Sequence, residues 1–287
     1  MQPLFEHRLE LAGYETRALE LEGAGPPVVL FHGFADSADT WRVVLDRLGR
    51  SERAALALDL PGFGHASRLD TREPILPQLD RFAAAAVEHV SAASGGAIVS
   101  GNSLGGCVAM RAAQREDLDV AGIVPVAPAG LDMPRWFFIV ERDPVVRTLL
   151  ASPVPLPGPV VRAAVAEAYR RLAFAHPREA DGDIVRSFTS HFRDRATVRR
   201  IVETARRVLT ELRDPFELER IRCPVLLVWG QKDLLVYPSG AERVLAETGG
   251  PARLELIEDC GHCPQVEEPD LFSSLLLDFP HSLARAA

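Results

Sequence analysis

Short apolar runs recur along this chain, separated by longer stretches whose apolar residues repeat at helical spacing. The runs at 27–32, 54–59, 96–101, 121–127 and 224–230 are continuous rather than alternating, and 252–258 reads as a further strand. That is the pattern of strands buried on both faces of a parallel sheet. Ahead of them, Leu4 to Leu21 reads as an N-terminal meander. The segments Thr40–Gly49, Pro77–Ala93, Leu104–Arg115, Ser239–Thr248 and Pro269–Ala284 read as helices. Strands and helices alternate, so the expected fold is α/β: a mostly parallel, eight-stranded twisted sheet with helices on both faces. The alternation breaks between the strand near 121–127 and the strand at 224, where a helical, arginine-rich insertion is expected over 130–215. The core is then 1–129 together with 216–287.

One junction in this pattern carries chemistry. The strand ending in Ala97-Ile-Val-Ser-Gly101 runs through Asn102-Ser103-Leu104-Gly105 into a helix. A serine with glycines two residues to either side, between strand and helix, sits on a turn too sharp for side chains at the flanking positions. Such a turn presents the hydroxyl at the sheet's edge, and the helix that follows aims its N–H groups at any developing oxyanion. Two further loops add candidates. Pro224-Val-Leu-Leu-Val-Trp-Gly230 leads to Asp233, and the strand before Glu258 leads through Asp-Cys-Gly to His262.

With these motifs the chain resembles the α/β-hydrolase family over nearly its whole length. The order Ser103, Asp233, His262 is the nucleophile, acid and base order of that fold. The resemblance implies that His262 takes the proton of Ser103 and returns it to the leaving group while Asp233 holds the imidazole. Asp259 and Asp132 are the rival acids. In Pro27-Val-Val-Leu-Phe-His-Gly-Phe34 the family carries one oxyanion donor on the residue after His-Gly, here the N–H of Phe34; its partner would be the N–H of Leu104. His32 is read as a buried histidine satisfied by backbone groups. The Asp59-Leu-Pro-Gly-Phe-Gly-His65 turn is structural in the family, with Asp59 bonding turn amides. The insertion over 130–215 resembles the helical cap of such enzymes. Trp136, Phe137, Phe138 and Phe174 are its candidate substrate wall, although the same aromatics would also serve as the cap's own core.

Serine at the elbow argues against haloalkane dehalogenases and epoxide hydrolases, which place aspartate there. Hydrolysis of an ester or related acyl bond of a small, largely apolar substrate is the expectation. The alternatives are a C–C bond hydrolase acting on a vinylogous diketone or diketo acid, suggested by Gly-Asn-Ser-x-Gly-Gly and Ala-Pro-Ala-Gly130-Leu, and a ligand-binding member of the fold with little or no turnover. The C–C hydrolases usually carry tryptophan after the catalytic histidine, where this chain has Cys263.

Composition changes the picture little. Of 287 residues, 47% are hydrophobic and 25% charged, ordinary values for a globular chain. The net charge of −8 argues against nucleic acid and anionic membrane surfaces as partners. Charges near the start stand where a leader's apolar stretch would be, and no apolar run is long enough to span a bilayer. A cytoplasmic protein, monomer or homodimer, with a small-molecule substrate and no cofactor is expected. Cys107 and Cys223 read as core residues. Cys260 and Cys263 form a C-x-x-C that brackets His262, read as loop chemistry rather than a metal site.

Overall fold

The structure, a computed structural model, describes residues 2–92, 95–134, 158–192 and 194–286. The chain opens with the hairpin β1 (Leu4–Leu11) and β2 (Tyr14–Leu21). Its turn, Ala12-Gly13, has φ of 51° and 81°, the primed geometry that matches strand twist. The strands β3 (Ala24–Phe31), β4 (Arg53–Leu58), β5 (Ala97–Asn102), β6 (Val120–Val126), β7 (Val225–Gly230) and β8 (Ala252–Ile257) follow. They form one eight-stranded sheet in the order β1-β2-β4-β3-β5-β6-β7-β8. β2 runs antiparallel to both β1 and β4, and the remaining pairs are parallel.

Helices α1 (Arg42–Arg50), α2 (Ile75–Ser91), α3 (Leu104–Ala112), α7 (Gly240–Glu247), α8 (Pro264–Glu267) and α9 (Pro269–Ala286) connect or follow the strands. Between β6 and β7 lie α4 (Gly158–Ala173), α5 (Gly182–Ser190) and α6 (Arg195–Glu211).

The sheet's continuous apolar runs are explained by what covers each face. Along β3, Val29 and Phe31 pack on one side with Phe82 of α2 and Val108 of α3. Val28 and Leu30 pack on the other with Trp41, Leu45 of α1 and Phe272 of α9. All four β3 residues are fully buried. At roughly 25 cal/mol per Å² of buried apolar surface, these two layers dominate the stability of the body. Their effect on function is geometric: the C-terminal ends of β3, β5, β7 and β8 all open on one edge, where ligands meet α/β sheets.

Candidate active site

Ser103 stands between β5 and α3 with φ 54° and ψ −111°, a strained conformation for a residue with a side chain. Its neighbours cannot give way. A Cβ on Gly105 would lie 2.1 Å from Phe31 O, and one on Gly101 2.4 Å from the Gly105 backbone. The turn is pinned from the sheet side as well: Ser103 N–H donates to Val126 O at 2.9 Å, and Ser103 O accepts from Ala129 N–H at 3.0 Å. Leu104 begins α3, so its N–H has no intrahelical partner. The loop after β3 lies against the elbow, since a Cβ on Gly33 would come within 3.6 Å of Ser103 Cβ.

The carboxylate that meets His262 is that of Asp233. His262 Nδ1 lies 2.7 Å from Asp233 Oδ2, with the two residues 4% and 3% exposed. The other oxygen, Oδ1, accepts from Leu235 N–H at 2.8 Å and Val236 N–H at 3.0 Å. A carboxylate only accepts, so Nδ1 carries the proton and Nε2 is left as the acceptor. The His262 backbone is held equally well: its N–H donates to Ala173 O at 2.7 Å, and Asn102 Nδ2 donates to its carbonyl at 2.9 Å. Glu267 ties the same loop to the end of α4, accepting from Gly261 N–H at 2.9 Å and Ala175 N–H at 2.8 Å. The rival acids are engaged elsewhere. Asp259 is exposed and pairs with Lys232 and with His176 Nε2. Asp132 accepts from the Ser239 hydroxyl.

His32 is fully buried between two backbone groups, donating from Nδ1 to Gly33 O at 2.7 Å and accepting at Nε2 from Leu60 N–H at 2.8 Å. Burial lowers its pKa to about 4, so it stays neutral. Asp59 accepts from the Ala38 and His65 amides at 2.7 and 2.8 Å, and also from Arg17 Nε at 3.1 Å. Burial opposes its charge, but these donors hold it below the usual carboxylate range.

Ser103 and His262 open on a cavity of about 200 Å³. Its apolar wall comes from Leu104, Met133, Leu235 and the α6 face of Ala205, Val208, Leu209 and Leu212. Phe34 lines it, as do Tyr169 and Phe188, whose rings stack at 3.9 Å. Phe174 lies behind this wall. It is buried edge-on against Tyr169, with centroids 5.3 Å apart, and packs with Val185 and Cys263. Trp136, Phe137 and Phe138 lie outside the described residues. Sequence reasoning missed Tyr169, Phe188 and Asp36. Asp36 also lines the cavity, and its position two residues beyond Phe34 was the available signal. A larger cleft, about 810 Å³, runs along the opposite face of α6 beside Arg68, Arg200 and His191, and contains none of Ser103, Asp233 or His262. The thiols of Cys260 and Cys263 are buried, which raises both pKa values far above the ordinary thiol range.

A model of the alpha/beta hydrolase family matches residues 28–275. The chain belongs to that family. It is 25% identical to monoacylglycerol lipase ABHD6 of Mus musculus, over 90% of this chain and 76% of that one. It is 27% identical to the dihydrolipoyllysine-residue acetyltransferase component of the acetoin cleaving system of Pseudomonas putida, over 95% of this chain and 68% of the relative. Among solved structures, a serine hydrolase involved in carbazole degradation superposes with a TM-score of 0.76 at 25% identity, covering 97% of this chain and 99% of the other. Among the described residues, no helix is long and apolar enough to cross a membrane.

Proposed function

We propose that this member of the family is a serine hydrolase cleaving an ester of a small, largely apolar substrate. The observation that carries the reading is the buried 2.7 Å contact of His262 Nδ1 with Asp233 Oδ2, on the cavity that Ser103 also lines. Asp233 fixes the tautomer in which Nε2 is the base. Nε2 takes the Ser103 proton as Oγ attacks the substrate carbonyl carbon, and the carbonyl oxygen becomes an oxyanion. The backbone N–H groups of Phe34 and Leu104 are the donors proposed for that oxyanion; one such donor is worth about a hundredfold to a thousandfold in rate. As the tetrahedral intermediate collapses, His262 returns the proton to the departing alcohol. Water, deprotonated by the same nitrogen, then releases the acid from Ser103. The segment 130–215 acts as a cap, with α6 giving the cavity its apolar wall and so favouring an apolar acyl group.

The C–C bond alternative places a substrate carboxylate in the site. The described residues lining the cavity include no Arg or Lys to receive it, and they include Asp36. A neutral ester suits that lining better. Turnover of p-nitrophenyl butyrate separates a hydrolase from a ligand-binding protein of the same fold. Ser103→Ala is expected to lower kcat/KM by about a thousandfold or more with the melting temperature near that of the wild type. A loss of less than about tenfold would overturn the assignment.

A further inference from the structure

Asp36 is the one carboxyl group lining the Ser103 cavity among the described residues, and its side chain belongs to no ion pair there. The residue is 8% exposed. Compare Asp59 at the end of the neighbouring strand, which has Arg17 beside it. The polar groups that share this lining with Asp36 are of a different kind. They include the Tyr169 hydroxyl and the Cys263 thiol, 3.9 Å apart. Burial raises the pKa of each, so both are neutral and supply no cation. Asp59 and Asp39 are the charged groups acting on Asp36, and both oppose its ionisation. Burial is the largest influence and lifts the carboxyl from 3.8 to about 7, against the opposing Ser37 N–H. Below about pH 7 the carboxyl is therefore protonated; a protonated carboxyl both donates and accepts, and its natural complement is a group that does the same.

The position within the cavity narrows the choice. Cys263 directly follows His262, so this polar corner adjoins the base, where the departing alcohol would be protonated. The Val208, Leu209 and Leu212 wall from α6 is apolar and suits an acyl chain. We propose that Asp36, with the Tyr169 hydroxyl on the same cavity lining, forms a subsite for a free hydroxyl on the alcohol portion of the substrate, making the preferred substrate an ester between an apolar acid and an alcohol that keeps a second hydroxyl. This rests on the reading of Ser103 as nucleophile.

The test uses two near-isosteric esters, 2-hydroxyethyl butyrate and propyl butyrate, with the full chain. Asp36→Leu is expected to lower the ratio of kcat/KM for the hydroxylated ester over the plain one by about tenfold or more, as expected when a site built to hydrogen-bond a hydroxyl loses its partner. Tyr169→Phe should lower the same ratio by a smaller factor. Asp36→Asn, which still donates and accepts, should keep most of it. Labelling of Ser103 by a fluorophosphonate in each variant confirms a folded site. An unmoved ratio in whichever of Asp36→Leu and Tyr169→Phe still labels would overturn the subsite. So would a wild-type preference for the trimethylammonioethyl ester that disappears in Asp36→Asn, since that marks an ionised anion site. Absence of both labelling and ester turnover in the wild type would instead remove the Ser103 reading itself.

Discussion

The cavity has two sides, and they are held in place by different means. On the sheet side, backbone does most of the holding. Ser103 is clamped by the Val126 carbonyl of β6 and the Ala129 N–H of the loop after it, and Asp233 by two N–H groups of its own turn. On the side built by α4, α5 and α6, side chains do it. Tyr169 lies on Phe188, and the wall from α6 is a row of aliphatic groups. Several hydrogen bonds join the sides. The Glu211 carboxylate at the end of α6 accepts from Ile75 and Leu76 N–H at 2.8 and 2.7 Å, and so caps α2, whose own N-cap is Pro74. His262 N–H reaches Ala173 O across the same divide. A backbone-held group tolerates almost no displacement, which suits reacting atoms. A wall of side chains can be refitted to another substrate without disturbing them.

The largest expected effect lies on the sheet side. Asp233→Asn keeps the shape but presents an amide to Nδ1, favouring the wrong tautomer of His262. A fall in kcat of about a thousandfold to ten-thousandfold is expected. Steady-state kinetics on one ester measures it; activity within about tenfold of wild type would show that His262 is oriented by something else.

The two sides also differ in how much could be read from sequence. Gly101, Ser103 and Gly105 are neighbours in the chain, and their close contacts with β3 demand glycine, so the residue types announce the geometry. Asp233 follows the plain apolar run of β7 and His262 follows the neighbouring strand β8, which places both at the same edge. The ties across the cavity leave no such trace. Glu211 meets the start of α2 from 136 residues away in sequence, and Arg17 meets Asp59 from 42 away. Phe174 and Tyr169 are both aromatic residues near the end of α4, and composition says only that such rings are buried. Which of them faces the cavity depends on how α4 packs against α5. Asp36 does not stand out among the residues after Phe34, because its lack of a cationic partner is a property of the folded surroundings.

A smaller effect is expected at the tie between the sides. Glu211→Ala leaves two helix N–H groups without their acceptor and should cost about 1–2 kcal/mol, the range for loss of a helix cap. Thermal or urea unfolding reads this directly. An unchanged stability would mean that water replaces the carboxylate there and that the other contacts of α6, Arg207 with the Asp70 and Glu73 carbonyls among them, suffice to hold it.

An effect that depends on pH concerns Asp36, which sits on the sheet side yet lacks the donors that hold Asp59. Its pKa is raised from 3.8 to about 7, so between those values the folded chain keeps a proton that the unfolded chain has released. Stability from this group is therefore lost as pH rises through that window. Asp36→Asn removes the dependence. The melting temperature of the variant relative to wild type should climb from about pH 4 to about pH 7 and level off above. A difference that stays constant over pH 4–8 would show the carboxyl to be solvated and ionised throughout.

Most directly, the account stands on one oxygen atom. Treatment of the full chain with a fluorophosphonate, followed by proteolysis and mass mapping, should give a single adduct on the peptide containing Ser103, formed in step with the loss of esterase activity, and none in Ser103→Ala. An adduct on another residue, or complete loss of activity with Ser103 unmodified, would contradict it.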